Sequence, residues 1–231
     1  MIDELVDLVV DRRDAADAVH QRPFVVGIAG GVGVGKTTLA ASLSAALARI
    51  DLSVVVVATD NFLFPNDELA RRGLLMQKGF PQTYDVDAIE SVIATLRRGA
   101  TATVPVYDHQ TYDVVDVRTD VDPTDVLVLE GVNVLQERVA DLLDVSIYLD
   151  VDVDHARSWF FDRFRDLCEK GEGFYAPFKT MTDAERASIA ESAWSGINLV
   201  NLEQHIAPTM RRADVVVAKD AVHTIVSITL T

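Results

Sequence analysis

Short apolar runs alternate with longer amphipathic stretches along the whole chain. Ile2, Leu5, Val6, Leu8 and Val9 fall at helical spacing between acids, which predicts an amphipathic helix over residues 2–20. The apolar run at 24–29, behind Pro23, reads as a buried strand, and the Ala- and Leu-rich segment 36–50 as a helix. SVVVVA at 53–58 is β-branched and uninterrupted, the pattern of a parallel strand covered on both faces. Residues 60–83 carry Pro65, Gly73, Gly79 and Pro81 and predict a long functional loop with a short helix near 68–74. A helix at 87–97 is closed by Gly99, and alternation across 103–117 around Asp108-His109-Gln110 predicts a hairpin. Beyond it the pattern predicts strands at 126–129 and 145–149, with helices at 134–143 and 153–168. A glycine-bearing loop at 169–177, a long helix at 182–205 and strands at 213–218 and 222–230 complete the chain.

Strands alternating with helices, without repeats or a low-complexity linker, predict an α/β fold with a mainly parallel central sheet. Ligands of such folds sit at the carboxyl ends of the strands, so the residues that follow each strand carry the functional reading. We expect a single domain over residues 1–231, with acceptor-binding insertions at about 60–85 and 101–118 and a lid at about 165–181.

Composition narrows the range of partners. The 231 residues carry 36 acids against 21 bases, a formal net charge of −15. Nucleic acid and anionic membranes both require a basic footprint, so neither is an expected partner. A small anionic ligand is compatible with an acidic protein, because one local cluster of N–H groups and cations suffices to hold phosphate. The single cysteine, Cys168, allows no intrachain disulfide, no apolar stretch is long enough to span a bilayer, and the N-terminal segment is acidic. A cytoplasmic location is the expectation.

The most specific signal is GIAGGVGVGKTT at 27–38. Gly30, Gly31, Val32, Gly33, Val34, Gly35, Lys36 and Thr37 fit G-x-x-x-x-G-K-[ST], with an apolar strand before and a helix after. Glycines let backbone N–H groups wrap a β-phosphate, and the helix N-terminus adds partial positive charge. Lys36 reaches the β/γ oxygens, and Thr37, followed by Thr38, offers a hydroxyl to Mg²⁺. A nucleoside triphosphate is therefore the expected ligand. Asp60 follows one predicted strand and Glu130 another. Two carboxylates leaving neighbouring strands could serve as general base and as metal or water ligand; capping of the following turns is the competing explanation. Arg163 and Arg165 precede EKGEGFYAPFK, a loop with two glycines and three aromatics. That spacing fits a lid carrying an arginine to developing charge, and equally an exposed helix face with ordinary ion pairs.

TDNFLFPN (59–66), RGLLMQKGFPQTYD (72–85), PVYDHQTYD (105–113), LEGVNVLQ (129–136) and INLVNLEQHIAPT (197–209) occur in an order and spacing that resemble bacterial type I pantothenate kinase, a P-loop kinase alongside uridine kinase and phosphoribulokinase. The resemblance covers about residues 20–225. It implies a three-layer P-loop kinase fold and MgATP-dependent phosphorylation of the primary hydroxyl of pantothenate, the first step toward coenzyme A, by a homodimer. By position it implies that Lys36 and Thr37 hold phosphates and Mg²⁺, that Asp60 orients and deprotonates the hydroxyl, that Glu130 supports the metal and that Arg163 stabilises the transferring phosphoryl. Tyr107, His109, Asn198 and an aromatic wall of Phe164, Phe174 and Tyr175 would hold pantothenate, with Lys219 and His223 near the adenine.

The chain departs from the family pattern at several positions. Phe160 replaces a pantothenate-binding tyrosine, and Ala41 replaces a basic residue associated with coenzyme A feedback. Only 35 residues precede Lys36, so part of the adenine environment must differ, and the family's Pro-Thr-Arg appears as Pro208-Thr209-Met210. Another acceptor (a nucleoside, a sugar or glycerate) fits the same pattern, since a site lacking one hydroxyl could select a different alcohol. A nucleotide-switch ATPase module is the alternative of another class. The chain has no N-K-x-D guanine-reading sequence, and a pure switch would leave Asp60 and the 105–113 hairpin unexplained.

Overall fold

The computed structural model describes residues 2–17 and 23–231. A six-stranded sheet has the order β2-β5-β1-β6-β7-β8, made of β1 (Phe24–Gly30), β2 (Val54–Ala58), β5 (Val126–Glu130), β6 (Val145–Val151), β7 (Val215–Lys219) and β8 (Ile225–Leu230). All its pairings are parallel except β7 with β8. A separate antiparallel hairpin joins β3 (Ala102–Asp108) to β4 (Asp113–Val121).

The two-residue period of the strands divides the core. Val26, Ile28, Val128 and Ile147 pack on one face with Leu5 and Val9 of α1 (Ile2–Asp17) and Leu39, Leu43 and Leu47 of α2 (Lys36–Ala48). Val25, Leu127, Leu129 and Tyr148 point to the other face, against hairpin residues Ala102, Val104 and Val121 and against Ile89, Ile93 and Leu96 of α4 (Val86–Arg97), which follows the short α3 (Asn66–Arg71). β1 and β5 are buried along their whole length, which is why they read as continuous apolar runs.

Other expectations are corrected. β2 lies at a sheet edge and Val56 is exposed, so its β-branched run reflects strand propensity rather than cover on both faces. The expected helix at 134–143 shrinks to α5 (Glu137–Ala140): Val134 and Leu135 are buried in the loop after β5, so their hydrophobicity serves the core rather than a helix face. The first helix is described over Ile2–Asp17, and the expected extension to residue 20 lies outside the described residues. The helix expected at 182–205 comprises α7 (Asp183–Ala193), a π-helical stretch at Trp194–Asn198, α8 (Leu199–Asn201) and a second π stretch at Leu202–Ile206. The loop expected to act as a lid, called the lid loop below, follows α6 (Val153–Lys170) and is wound into 3₁₀ turns over Gly173–Thr180. Among the described residues no helix is long and apolar enough to cross a membrane.

β1 is flanked by β5 on one side and β6 on the other, so the chain diverges from the carboxyl end of β1 in both directions and a crevice opens there. The phosphate loop follows β1, Asp60 follows β2, Glu130 ends β5 and Lys219 ends β7; all four lie along that edge. A Cβ at Gly131, whose φ is +159°, would lie 1.7 Å from Thr59 Oγ1. Only glycine lets the ends of β2 and β5 approach this closely. Leu43 is fully buried where α2 meets the sheet. Leu43→Ala is expected to cost about 2–5 kcal/mol through lost burial and the cavity left behind, measured by urea unfolding.

Candidate active site

The loop from Gly30 to Gly35 turns the chain from β1 into α2. Gly35 has φ +92° and carries the backbone into the helix without any side-chain cap, so the first-turn N–H groups are left for a ligand. A Cβ at Gly35 would also lie 2.7 Å from Lys219 Nζ. Lys219 donates to the Val34 carbonyl at 3.2 Å, which brings the end of β7 onto the loop. Lys36 is only 9 % exposed, and its ammonium donates to the Gly31 carbonyl at 2.7 Å. Burial lowers its pKa, against the attraction of Glu130 and Asp60, and the Arg163 cation lowers it further. An anion entering the cradle would relieve that penalty.

Thr37 Oγ1 donates to Glu130 Oε1 at 2.9 Å. Glu130 is 6 % exposed; burial raises its pKa, opposed by Lys36 and the Thr37 hydrogen bond. A hydroxyl and a carboxylate side by side at the base of a phosphate loop are the oxygen donors that suit Mg²⁺, which takes few protein ligands and keeps phosphate and water oxygens. The donor set therefore fits that ion.

Asp60 lies half-buried in the 3₁₀ turn Thr59–Phe62. The segment that follows loops back on itself: Phe64 N–H donates to the Thr83 carbonyl at 2.9 Å and Asp85 N–H to that of Phe62 at 2.7 Å. This pairing aims Tyr84, whose hydroxyl donates to Asp60 Oδ1 at 3.3 Å. Burial and the Asp60 charge hold the Tyr84 pKa far above the ordinary tyrosine value, so the phenol stays a proton donor to the carboxylate. Next to Asp60, the Asn61 side chain accepts from the Tyr107 N–H at 2.9 Å and docks the hairpin.

The hairpin and the lid loop supply an aromatic wall. Tyr107 packs edge-on against His109 at 5.1 Å and Tyr112 at 6.1 Å, and Tyr112 stacks on Phe174 at 4.8 Å. Phe174 N–H donates to the Gln110 carbonyl at 2.6 Å, joining lid to hairpin tip. Phe174 meets Tyr175, Tyr175 meets Phe164, and Phe164 stacks on Phe160 at 6.3 Å, which in turn touches Trp194 at 5.7 Å. The candidates Tyr107, His109, Phe160, Phe164, Phe174 and Tyr175 thus form one chain of ring contacts. Arg163 lies within electrostatic reach of Lys36, Tyr112 and Tyr175. Arg165, on the same helix, is instead paired with Asp162 at 2.9 Å. Asn198 sits half-buried in the first π stretch and His109 is solvent-exposed at the hairpin tip. His223, at φ +66°, stacks on Trp159 with ring centroids 3.7 Å apart, beyond the end of β7.

Three residues of this site lie inside the sequence blocks quoted above but receive no role from them: Tyr84, Tyr112 and Lys78. The Lys78 ammonium donates to Asn66 Oδ1 at 2.7 Å and to the Tyr112 carbonyl at 2.5 Å, and lies over the Tyr107 and Tyr112 rings at 4.9 and 4.7 Å. Burial depresses its pKa to about 8, with Asp113 and Asp60 pulling the other way. A lone lysine in a glycine-bearing loop gives no signal from spacing; only the folding of 60–85 onto the hairpin brings it here.

The arrangement can hold a triphosphate, accept a proton from a hydroxyl at Asp60 and enclose an organic acceptor against aromatic rings. Comparisons with known proteins place the chain among kinases. Pantothenate kinase of Streptococcus thermophilus (strain ATCC BAA-491 / LMD-9) is 39% identical over 221 residues, covering 90% of this chain and 72% of that protein. The pantothenate kinase of Streptococcus agalactiae serotype III is 37% identical over 219 residues, covering 89% and 72%. Among solved structures, D-glycerate 3-kinase from Cryptococcus neoformans shares the fold at a TM-score of 0.73 with 17% identity, covering 100% of this chain and 99% of that one. Residues 25–225 match the phosphoribulokinase / uridine kinase family, and the chain belongs to it.

Proposed function

We propose that this protein is an ATP-dependent kinase that transfers the γ-phosphoryl group to the primary hydroxyl of pantothenate, giving 4′-phosphopantothenate and ADP. The observation that carries the reading is the convergence of three strand ends: the buried Lys36 cradle, the Thr37–Glu130 pair and Asp60 under Tyr84 face one crevice walled by the hairpin and lid aromatics. The pantothenate kinases that resemble the chain over about nine-tenths of its length favour this acceptor. Pantothenate is a monocarboxylate, and Lys78 places an ammonium beside Tyr107 and Tyr112 within reach of such a charge.

In this mechanism Lys36 and the loop N–H groups hold the β- and γ-phosphates, with Lys219 and His223 at the nucleoside end. Asp60 accepts the hydroxyl proton as the acceptor oxygen bonds to the γ-phosphorus, while the bond to the bridging oxygen of ADP breaks. Arg163 faces the charge on the transferring group. Thr37 and Glu130 would hold Mg²⁺, which when bound neutralises charge on the phosphate oxygens. Tyr84 keeps the Asp60 carboxylate oriented. Tyr107, His109, Asn198, Phe160, Phe164, Phe174 and Tyr175 enclose the acceptor, and the lid excludes water from it. A cytoplasmic homodimer completes the reading.

Two experiments test it. Asp60→Asn is expected to lower turnover by about 10²–10⁴, the usual contribution of a general base, and Lys36→Ala to abolish transfer, both with an unchanged thermal melt. Near-normal turnover in Asp60→Asn would remove Asp60 from the proposed role. In a coupled assay of ADP release with pantothenate, nucleosides, sugars and glycerate, pantothenate should give the highest kcat/KM. Clear turnover with another alcohol and none with pantothenate would replace the acceptor and leave the kinase standing. A third measurement follows Lys78. The Michaelis constant for pantothenate should rise as pH increases through about 8, where the depressed pKa removes the ammonium, while that for ATP follows a different profile.

A further inference from the structure

Gly79, the residue after Lys78, has every backbone hydrogen-bonding group engaged. Its N–H donates to Thr83 Oγ1 at 3.1 Å. Its carbonyl accepts from Asn133 Nδ2 at 2.8 Å and from Asn201 Nδ2 at 2.8 Å. The two amides come from distant parts of the fold: Asn133 lies in the loop three residues beyond Glu130, and Asn201 lies in α8 between the two π-helical stretches. They are 5 % and 3 % exposed. Among the described residues, each leaves its own Oδ1 buried without a hydrogen-bond partner. Turning either amide over would set oxygen against the Gly79 carbonyl oxygen, so that carbonyl dictates both orientations.

Two buried amides, each with an orphaned oxygen, are more than is needed to tie down a loop that Thr83 already caps. The segment they fix is the one that projects Lys78 between the Tyr107 and Tyr112 rings. The Asn133 amide also faces the Tyr84 hydroxyl, which donates to Asp60. π-helical turns are frequent at functional sites because they re-aim side chains, and here they flank Asn201 on both sides.

We propose that Asn133 and Asn201 are positioning residues: they clamp the Gly79 carbonyl and thereby hold the Lys78 ammonium in the acceptor site, in register with the Asp60–Tyr84 pair. The proposal rests on the reading of this crevice as the acceptor site of a kinase. Both asparagines act through the peptide that follows Lys78. Loosening the clamp frees the Lys78 side chain toward water, which restores its ordinary basicity and weakens the hold on an anionic acceptor.

The test uses the full chain with Asn133→Ala and Asn201→Ala made separately, so that poor folding of one leaves the other to decide. Competitive acetylation across pH, read by mass spectrometry of the peptide bearing Lys78, gives the titration midpoint of that side chain whatever the acceptor is. The wild type is expected near 8, and a variant should shift toward the ordinary lysine value of 10.5. The Michaelis constant for the acceptor should rise about tenfold, as loss of one charge contact predicts, while that for ATP stays within about twofold. An unmoved Lys78 midpoint in natively melting variants overturns the clamp, as does an equal rise in both Michaelis constants. A wild type inactive on every acceptor tried would overturn the kinase reading instead, and the acetylation midpoint would still decide the clamp.

Discussion

The burial of the Lys36 ammonium is the constraint on which the rest of the site depends. A cation this enclosed requires nearby negative charge or backbone carbonyls, and Glu130, Asp60 and the Gly31 carbonyl supply both. Those groups can reach it only because β1, β2 and β5 are adjacent and parallel, so that their carboxyl ends come out at one edge. Gly131 makes the approach possible where a side chain would collide with Thr59. The low dielectric that makes the buried lysine costly also strengthens its attraction for phosphate. The same burial therefore destabilises the empty cradle and favours the filled one.

The side of the crevice proposed to take the acceptor is built differently. No single element owns it: residues 60–85, the β3–β4 hairpin, α6, the lid loop and the helix around Asn201 each contribute. They are joined by a small number of specific bonds, including Asn61 to Tyr107, Gln110 to Phe174 and the two amides on Gly79. Phe160 sits in the aromatic wall, in contact with Phe164 and Trp194, and fills the position with a ring that has no hydrogen bond to give. Under the proposed function, the polar groups left to orient the acceptor are chiefly Lys78 and Asp60.

The sequence by itself determined the strand–helix alternation, the phosphate loop and the two carboxylates, because each depends on local chemistry. Burial on both faces of β1 and β5 produces continuous apolar runs, and the loop's glycines are required by its own backbone path. Tertiary structure decided the rest. Val134 and Leu135 looked helical but are loop residues drawn into the core, and SVVVVA forms an exposed sheet edge, since hydrophobicity alone does not say which neighbour covers a residue. Arg163 and Arg165 were equivalent by spacing; the fold pairs one with Asp162 and leaves the other near Lys36. Lys78, Tyr84, Asn133 and Asn201 acquire their places only when segments up to 122 residues apart meet on one carbonyl. Contacts across such separations leave no periodicity in the chain, because they are fixed by where the sheet edge and the helices deliver their ends.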